Sequence, residues 1–349
     1  MKRRDFIKAG VTGGLAWGLS PDLLSAAGER SPAFRKPIEG MSLWDAHAHP
    51  HSFFSGQPDP TTPTIAMMKS MGMKVCVFAA VGDRTYPSRS RFEQGTPLFD
   101  TARQLDQVLR WAREGEIRLI RTKADLDQLK KGDLGAIVGI EGGDALEGHL
   151  KNLDYFFDAY AVRIITLMHD RTNEIGGHQR ALNNDQGLTS FGRQLVRRMN
   201  QLGMLIDLAH AGGNTLKDVC ALSSKPVLDS HTSPATGEEP SGRLRSWPEM
   251  KGIAERGGLI CTWPFAFPGR ETLKDWASEI STLKTRLGLA HVALGTDGGG
   301  RLPKTIEGYR NILDLPKLIE ALEEAGFTRK EIQAFMGGNL ERVVRENME

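Results

Sequence analysis

Short apolar runs alternate with amphipathic stretches along most of this chain. The runs occupy 42–47, 74–81, 135–140, 162–168, 204–209, 226–230, 258–263 and 291–296, and are rich in β-branched or aliphatic residues. Runs of that length and composition predict buried strands. Between them, helical spacing is clearest over 101–114, 189–202, 214–222, 248–256, 272–287 and 312–325. In the second of these, Phe191, Leu195, Val196, Met199 and Leu202 recur on one face, with Thr189 as N-cap and Gly203 just past the end. Eight strands alternating with helices predict a parallel α/β fold, a (β/α)8 TIM barrel, with an open doubly wound sheet as the alternative. The barrel is preferred because candidate ligands sit at strand ends throughout the chain, whereas an open sheet gathers its site at one switch point. There are no internal repeats.

Five of the apolar runs end on a residue of metal-ligand type. They are LWDAHAH with His47 and His49, AIVGIE with Glu141, LIDLAH with His210, PVLDSH with His231, and VALGTD with Asp297. Residues two apart on a strand project to the same side, so His47 and His49 can reach one ion past the small Ala46 and Ala48. A glutamate at the end of a buried strand is costly unless it meets a cation. A carboxylate bridging two ions resolves that cost; a salt bridge to a loop arginine is the alternative. His210 and His231 are one βα repeat apart, which predicts adjacent strands. Singly, each reads more readily as a hydrogen-bonded structural histidine; together they favour ligation. Asp297 opens a glycine-rich stretch, and no phosphate-cradling motif is formed there. His169 ends a further run, RIITLMH, and Arg243 and Arg245 compete as anion holders on a loop. Imidazole and carboxylate donors without thiolates suit zinc. Two such ions acidify a water and polarise a carbonyl, so the predicted chemistry is metal-assisted hydrolysis.

The segments GIEGG (139–143), TLMHDRTNEIG (166–176), GLTSFGRQLVRRMNQLGMLIDLAHA (187–211) and DSHTSPA (229–235) resemble the membrane (renal-type) dipeptidases. These are zinc peptidases with a (β/α)8 barrel in the wider amidohydrolase group, and the resemblance runs from about Ser42 to about Arg345. It implies two Zn2+ ions per chain, bridged by Glu141, with His47 and His49 completing one site and His210 and His231 the other. It further implies that His169 contacts the scissile carbonyl oxygen, that Arg243 binds the substrate's terminal carboxylate, and that Asp297 takes a proton from the bridging water. The implied activity is an exported dipeptidase acting on short peptides; another binuclear amidohydrolase, a lactonase or an N-acyl amino-acid amidohydrolase, is the alternative. Three positions depart from the family pattern. His47-Ala48-His49 stands where His-x-Asp is usual, Asp297-Gly298-Gly299-Gly300 where Asp-Phe-Asp-Gly is usual, and Ser241-Gly242-Arg243-Leu244 where His-Pro-Arg-Asn is usual.

Composition alters this picture mainly at the N-terminus. Residues 1–27 run from Lys2-Arg3-Arg4 through a glycine-containing apolar stretch to Ser25-Ala26-Ala27, which resembles a twin-arginine export signal. Its apolar part is shorter than the ~20 residues of a membrane span. Residues 28–40 read as a linker, and 41–349 as one catalytic domain. The formal charge of +2 falls to 0 without residues 1–27. Neither value suggests a nucleic-acid partner. The predicted partners are a peptide or amide substrate and the twin-arginine export machinery, with a homodimer left open, and the predicted address is periplasmic or otherwise exported. Segment 82–100 reads as either a mobile active-site loop or an ordinary solvated one. Cys76 and Cys261, inside apolar runs, read as buried free thiols, and with Cys220 the odd count leaves at least one unpaired within the chain.

Overall fold

The computed structural model of the protein describes residues 38–83, 96–180, 186–235 and 242–348. The export-signal segment, nearly all of the linker, and residues 84–95 of the 82–100 segment lie outside the described residues. Eight strands form the frame: β1 (Leu43–Ala48), β2 (Met73–Val81), β3 (Gly135–Glu141), β4 (Val162–Thr166), β5 (Leu205–Asp207), β6 (Leu228–Thr232), β7 (Leu259–Thr262) and β8 (Val292–Leu294). Each pairs in parallel with the next. A two-residue strand, Arg118–Leu119, adds to β3 off this path. The ring closes where Ala48 bridges Gly298 in parallel. There the His49 amide donates to the Gly298 carbonyl at 2.8 Å, and the Asp297 amide to the His47 carbonyl at 2.9 Å. This closure makes the sheet a barrel and removes the open-sheet alternative.

The six helical stretches read from the sequence appear as Pro97–Arg113, Ser190–Gln201, Gly213–Leu222, Trp247–Glu255, Leu273–Leu287 and Leu315–Glu324. Thr189 caps the second, its side chain accepting from the Gly192 amide. Helices Leu150–Ala159 and Asn339–Asn347 were not among those read from the pattern. Two strands are shorter than their apolar runs. The run 204–209 pairs only over Leu205–Asp207, and 291–296 only over Val292–Leu294. Both runs carry on into turns that place His210 at φ 63° and Asp297 at φ 49°. An apolar run marks burial, and these residues stay buried after the ladder ends.

Alternation along the strands divides the core in two. Trp44, Val75, Val77, Ile137, Ile164, Leu205, Leu228 and Leu259 fill the barrel interior together with Leu340, Val343, Val344 and Met348 of the C-terminal segment. Cys76, Phe78, Val138 and Ile165 face outward and pack with the helices. Helix Asn339–Asn347 therefore plugs the end where the strands begin, which leaves the opposite end for chemistry. All three cysteines are free and buried. No helix among the described residues is long and apolar enough to cross a membrane.

The plug is pressed against β1 by the turn before it, Ala334–Gly338. A Cβ at Gly337 would lie 2.1 Å from the Ser42 carbonyl oxygen and 2.7 Å from Trp44 Cδ1. At Gly338 it would meet only the Gln333 carbonyl, at 3.5 Å. Gly337→Ala should therefore destabilise the barrel by about 1–3 kcal/mol through overpacking, while Gly338→Ala should be close to neutral. Thermal unfolding of the two variants checks this, and equal Tm values would overturn it.

Candidate metal centre and substrate cleft

Glu141 is the last residue of β3 and is 2% exposed. The chain leaves it through Gly142 at φ 100°, a conformation that L side chains avoid. Its two carboxylate oxygens face different histidine pairs. Oε2 lies 3.5 Å from His47 Nε2 and 3.3 Å from His49 Nε2. Oε1 lies 3.0 Å from His210 Nε2 and 3.5 Å from His231 Nε2. Within each pair the Nε2 atoms are 3.2 Å apart. Two nitrogens bonded to one tetrahedral zinc at ~2.0–2.1 Å would stand about 3.3 Å apart. The donor set and its spacing thus fit one ion on each side of Glu141. Asp297 stands on the first side, with Oδ1 3.6 Å from His49 Nε2.

Neighbouring groups fix the rings. His49 Nδ1 donates to the Ala79 carbonyl at 2.7 Å, which turns Nε2 inward. Ser230 Oγ donates to Asp207 Oδ2 at 2.7 Å and so is free to accept from His231 Nδ1, also at 2.7 Å. His169, just beyond β4, sets Nδ1 3.1 Å from Asp83 Oδ1 and turns Nε2 toward Glu141 Oε2 at 3.8 Å. Carboxylates and carbonyls that hold the far nitrogen of an imidazole in this way set its tautomer and raise its basicity as a ligand.

The metal-free centre is electrostatically uneven. Burial acts to lower His49, but the carboxylates of Asp297 and Glu141, which accept from the ring, outweigh it and carry His49 to about 10. Burial likewise opposes His169, which the charges of Glu141 and Asp83 bring to about 9. His210 and His231 are held well below the usual histidine range, by burial first and then by nearby positive groups including Arg243. Burial would raise Glu141, yet the imidazoles around it hold it well below the usual carboxylate range.

A cleft of about 170 Å³ opens over the centre, lined by His49, Glu141, His169 and Asp297 and walled by Phe54, Trp263, Asp170 and three arginines, Arg180, Arg243 and Arg301. The structure thus brings together all eight residues singled out from the sequence: His47, His49, Glu141, His169, His210, His231, Arg243 and Asp297. It also separates the two competing arginines. Arg243 lies over the Trp263 ring, 5.0 Å from its centroid, and faces the cleft. Arg245 is fully buried, donating to Asp229 Oδ2 at 2.7 Å and to the carbonyls of Ala211 and Leu208. Sequence reasoning passed over Asp83, Asp170, Arg180, Trp263 and the buried acids Asp45 and Asp207. Asp83 carried the same signal as the others, because it follows the apolar run of β2 by two residues. The acids preceding His47, His210 and His231 by two or three residues formed a repeated pattern that could also have been found.

The sequence profile of the membrane dipeptidase family, Peptidase family M19, matches residues 63–349. The matched region begins after His47 and His49. Dipeptidase 3 of Mus musculus is 30% identical over 252 residues, covering 66% of this chain and 48% of that protein. Dipeptidase tcpJ of Claviceps purpurea is 27% identical over 259 residues, covering 71% of this chain and 60% of that protein. The chain therefore spans only about half to three-fifths of these relatives' lengths. A metallopeptidase from Rhodobacter sphaeroides, solved with a phosphinate mimic of the dipeptide L-Ala-D-Ala, superposes with a TM-score of 0.75 at 18% identity, covering 88% of this chain and 99% of that one. At that identity the likeness establishes the shared barrel fold.

The two arginines should respond differently to substitution. Arg245→Met leaves Asp229 as an unpaired buried charge and should cost about 3–5 kcal/mol of stability. Arg243→Met should leave Tm near the parent value, because Arg243 faces the cleft. Thermal unfolding of both variants checks the assignment, and a comparable loss in Arg243→Met would overturn it.

Proposed function

The chain belongs to the membrane dipeptidase family, and on that premise we propose that it is a zinc-dependent dipeptidase that hydrolyses the amide bond of short peptides bearing a free terminal carboxylate. The observation that carries the reading is the placement of Glu141, whose two oxygens face two separate histidine pairs. His47 and His49 would hold one ion with Glu141, and His210 and His231 the other. Bound there, two zinc ions would acidify a water and polarise the scissile carbonyl. The protein's own groups supply the rest. Arg243, braced on Trp263, holds the substrate's carboxylate and so fixes the register of the amide bond. His169, oriented by Asp83, donates from Nε2 to the carbonyl oxygen as negative charge builds on it. Asp297 accepts the proton released by the attacking water and passes it to the departing amine. Phe54 and Trp263 wall the cleft and limit water around the reacting atoms. We further infer that residues 1–27 address the folded chain to the twin-arginine export machinery, a reading supported by their paired arginines and weakly apolar stretch.

L-Ala-D-Ala is the first substrate to try, since the R. sphaeroides protein holds a mimic of it. Zinc-loaded protein should cleave it and related dipeptides in preference to lactones and N-acyl amino acids. His169→Asn should lower kcat on the order of 10²–10³-fold while leaving the zinc content unchanged. A dipeptide panel left uncut by protein carrying its full complement of zinc would sink this function.

The electrostatics give a separate test of the metal site. His49 lies at about 10 without metal, so at pH 7 it carries a proton that a ligand must lose. Zinc uptake should therefore release protons, and zinc affinity should rise with pH, about tenfold per unit for each proton displaced. Calorimetric titration in two buffers of different ionisation heat reads the proton count. Heats that do not depend on the buffer would contradict a proton held on His49 in the metal-free protein.

A further inference from the structure

The cleft holds more positive charge than one terminal carboxylate calls for. Three guanidiniums line it, and its three acids, Glu141, Asp297 and Asp170, all act on Arg243. Arg243 answers the substrate's terminal carboxylate under the dipeptidase reading. Arg180 belongs to the same end of the cleft. Its neighbour Gln179 donates from the backbone to the His210 carbonyl at 2.8 Å and from Nε2 to the Leu244 carbonyl at 2.6 Å. These bonds pin the Arg180 segment both to a ligand-bearing turn and to the loop that carries Arg243. The Arg180 amide also donates to His178 Nδ1 at 3.1 Å. Arg180 and Arg243 both line the same cleft, on segments that the Gln179 bonds tie together. Arg180 itself is exposed at the rim, so it is not committed to the core as Arg245 is.

We propose that Arg180 and Arg243 together form a two-anion subsite, so that the preferred substrates are peptides whose C-terminal residue carries an acidic side chain. Arg243 takes the main-chain carboxylate, and Arg180 takes the side-chain carboxylate of the same residue. A planar fork of donors suits a carboxylate better than a point charge does, and such charge-assisted hydrogen bonds are stronger than neutral ones. An amide in place of that carboxylate has the same shape and loses the charge, so Asp against Asn isolates the effect. This inference rests on the dipeptidase reading for the orientation of the substrate, and it is a statement about specificity rather than about the bond broken.

The test uses zinc-loaded full-length protein and two readouts. The first is kcat/KM for Ala-Asp and Ala-Asn, each with either epimer at the second residue. The second is the dissociation constant of the phosphinate mimics of Ala-Asp and Ala-Asn, which does not depend on turnover. Ala-Asp and its mimic should be favoured on the order of tenfold or more over the Asn forms, as expected for a charge-assisted pair. In Arg180→Gln that ratio should collapse toward unity. Arg180 is exposed, so the variant keeps its fold, and an unchanged Tm verifies this. Equal handling of the Asp and Asn forms by the parent protein, or a ratio that survives in Arg180→Gln, would overturn the subsite. If the mimics discriminate as expected but no dipeptide is cut, the subsite stands and the hydrolytic reading falls. If neither mimic binds and nothing is cut, both fall.

Discussion

Everything at the open end of this barrel follows from one buried carboxylate. Glu141 is nearly sealed from solvent, and a lone carboxylate in that position would carry a large desolvation penalty. It is tolerable because five imidazoles converge on it from the ends or exits of four other strands. Only a closed ring of parallel strands brings residues separated by up to 184 positions, His47 and His231, within reach of one side chain. The barrel is in this sense a device for gathering cationic or cation-binding groups around a single acid. Without bound metal, positive charge on neighbouring imidazoles, His169 first among them, and hydrogen bonds from others such as His210 hold Glu141 ionised.

That convergence has a mechanical consequence. Strands must give up ladder hydrogen bonds where they turn their last residues inward. β5 and β6 share just one register pair, Asp207 with Leu228. Buried acids brace the frayed region instead. Asp207 accepts from the Ser230 amide and hydroxyl on β6 and from Thr166 Oγ1 on β4. Asp45 on β1 accepts from the amide and hydroxyl of Thr296, beyond β8, and so helps close the ring. Asp229 is tied to Arg245, whose guanidinium also gathers two carbonyls from the turn after β5. The inner histidines and these acids are thus one structure. The acids replace the missing ladder, and in doing so they hold His47 and His231 at the angles that the Glu141 oxygens require. His210 and Asp297, in left-handed conformations, store strain that the same bracing sustains.

The strands and their terminal residues were legible because burial and chemistry share a simple code, an apolar run stopped by a His or an acid. That code pointed to the fold class and to the seven histidines and acids that the structure gathers at the centre. It overran β5 and β8, because hydropathy reports burial and both exits remain buried after pairing stops. It could not choose between Arg243 and Arg245, which are two residues apart with similar neighbours. The choice depends on Asp229, which lies on a strand and is 16 residues earlier than Arg245. Asp170, Arg180 and Trp263 were illegible for a related reason. Asp170 and Arg180 sit on loops, where no periodicity announces which way a side chain faces, Trp263 ends the apolar run 258–263 and reads as core, and their shared cleft exists only once the barrel has closed.

The two halves of the centre are alike in donor type and unlike in surroundings. The His47 and His49 half has a second acid, Asp297, beside it, and His49 consequently retains a proton to high pH. The His210 and His231 half has the positive charge of Arg243 nearby, and both rings are kept neutral. A cation entering the second half would meet ligands already in the state it needs. A cation entering the first would have to displace a proton, but would meet more negative charge when it arrived. The histidine at position 49, where the family pattern has an acid, therefore does not leave the first half short of anionic donors, because Asp297 and Glu141 Oε2 both face it. The departure removes the acid at the strand's own end and leaves Asp297, on the turn that closes the barrel, as the acid beside Glu141 on that side, so the first half depends on that closure.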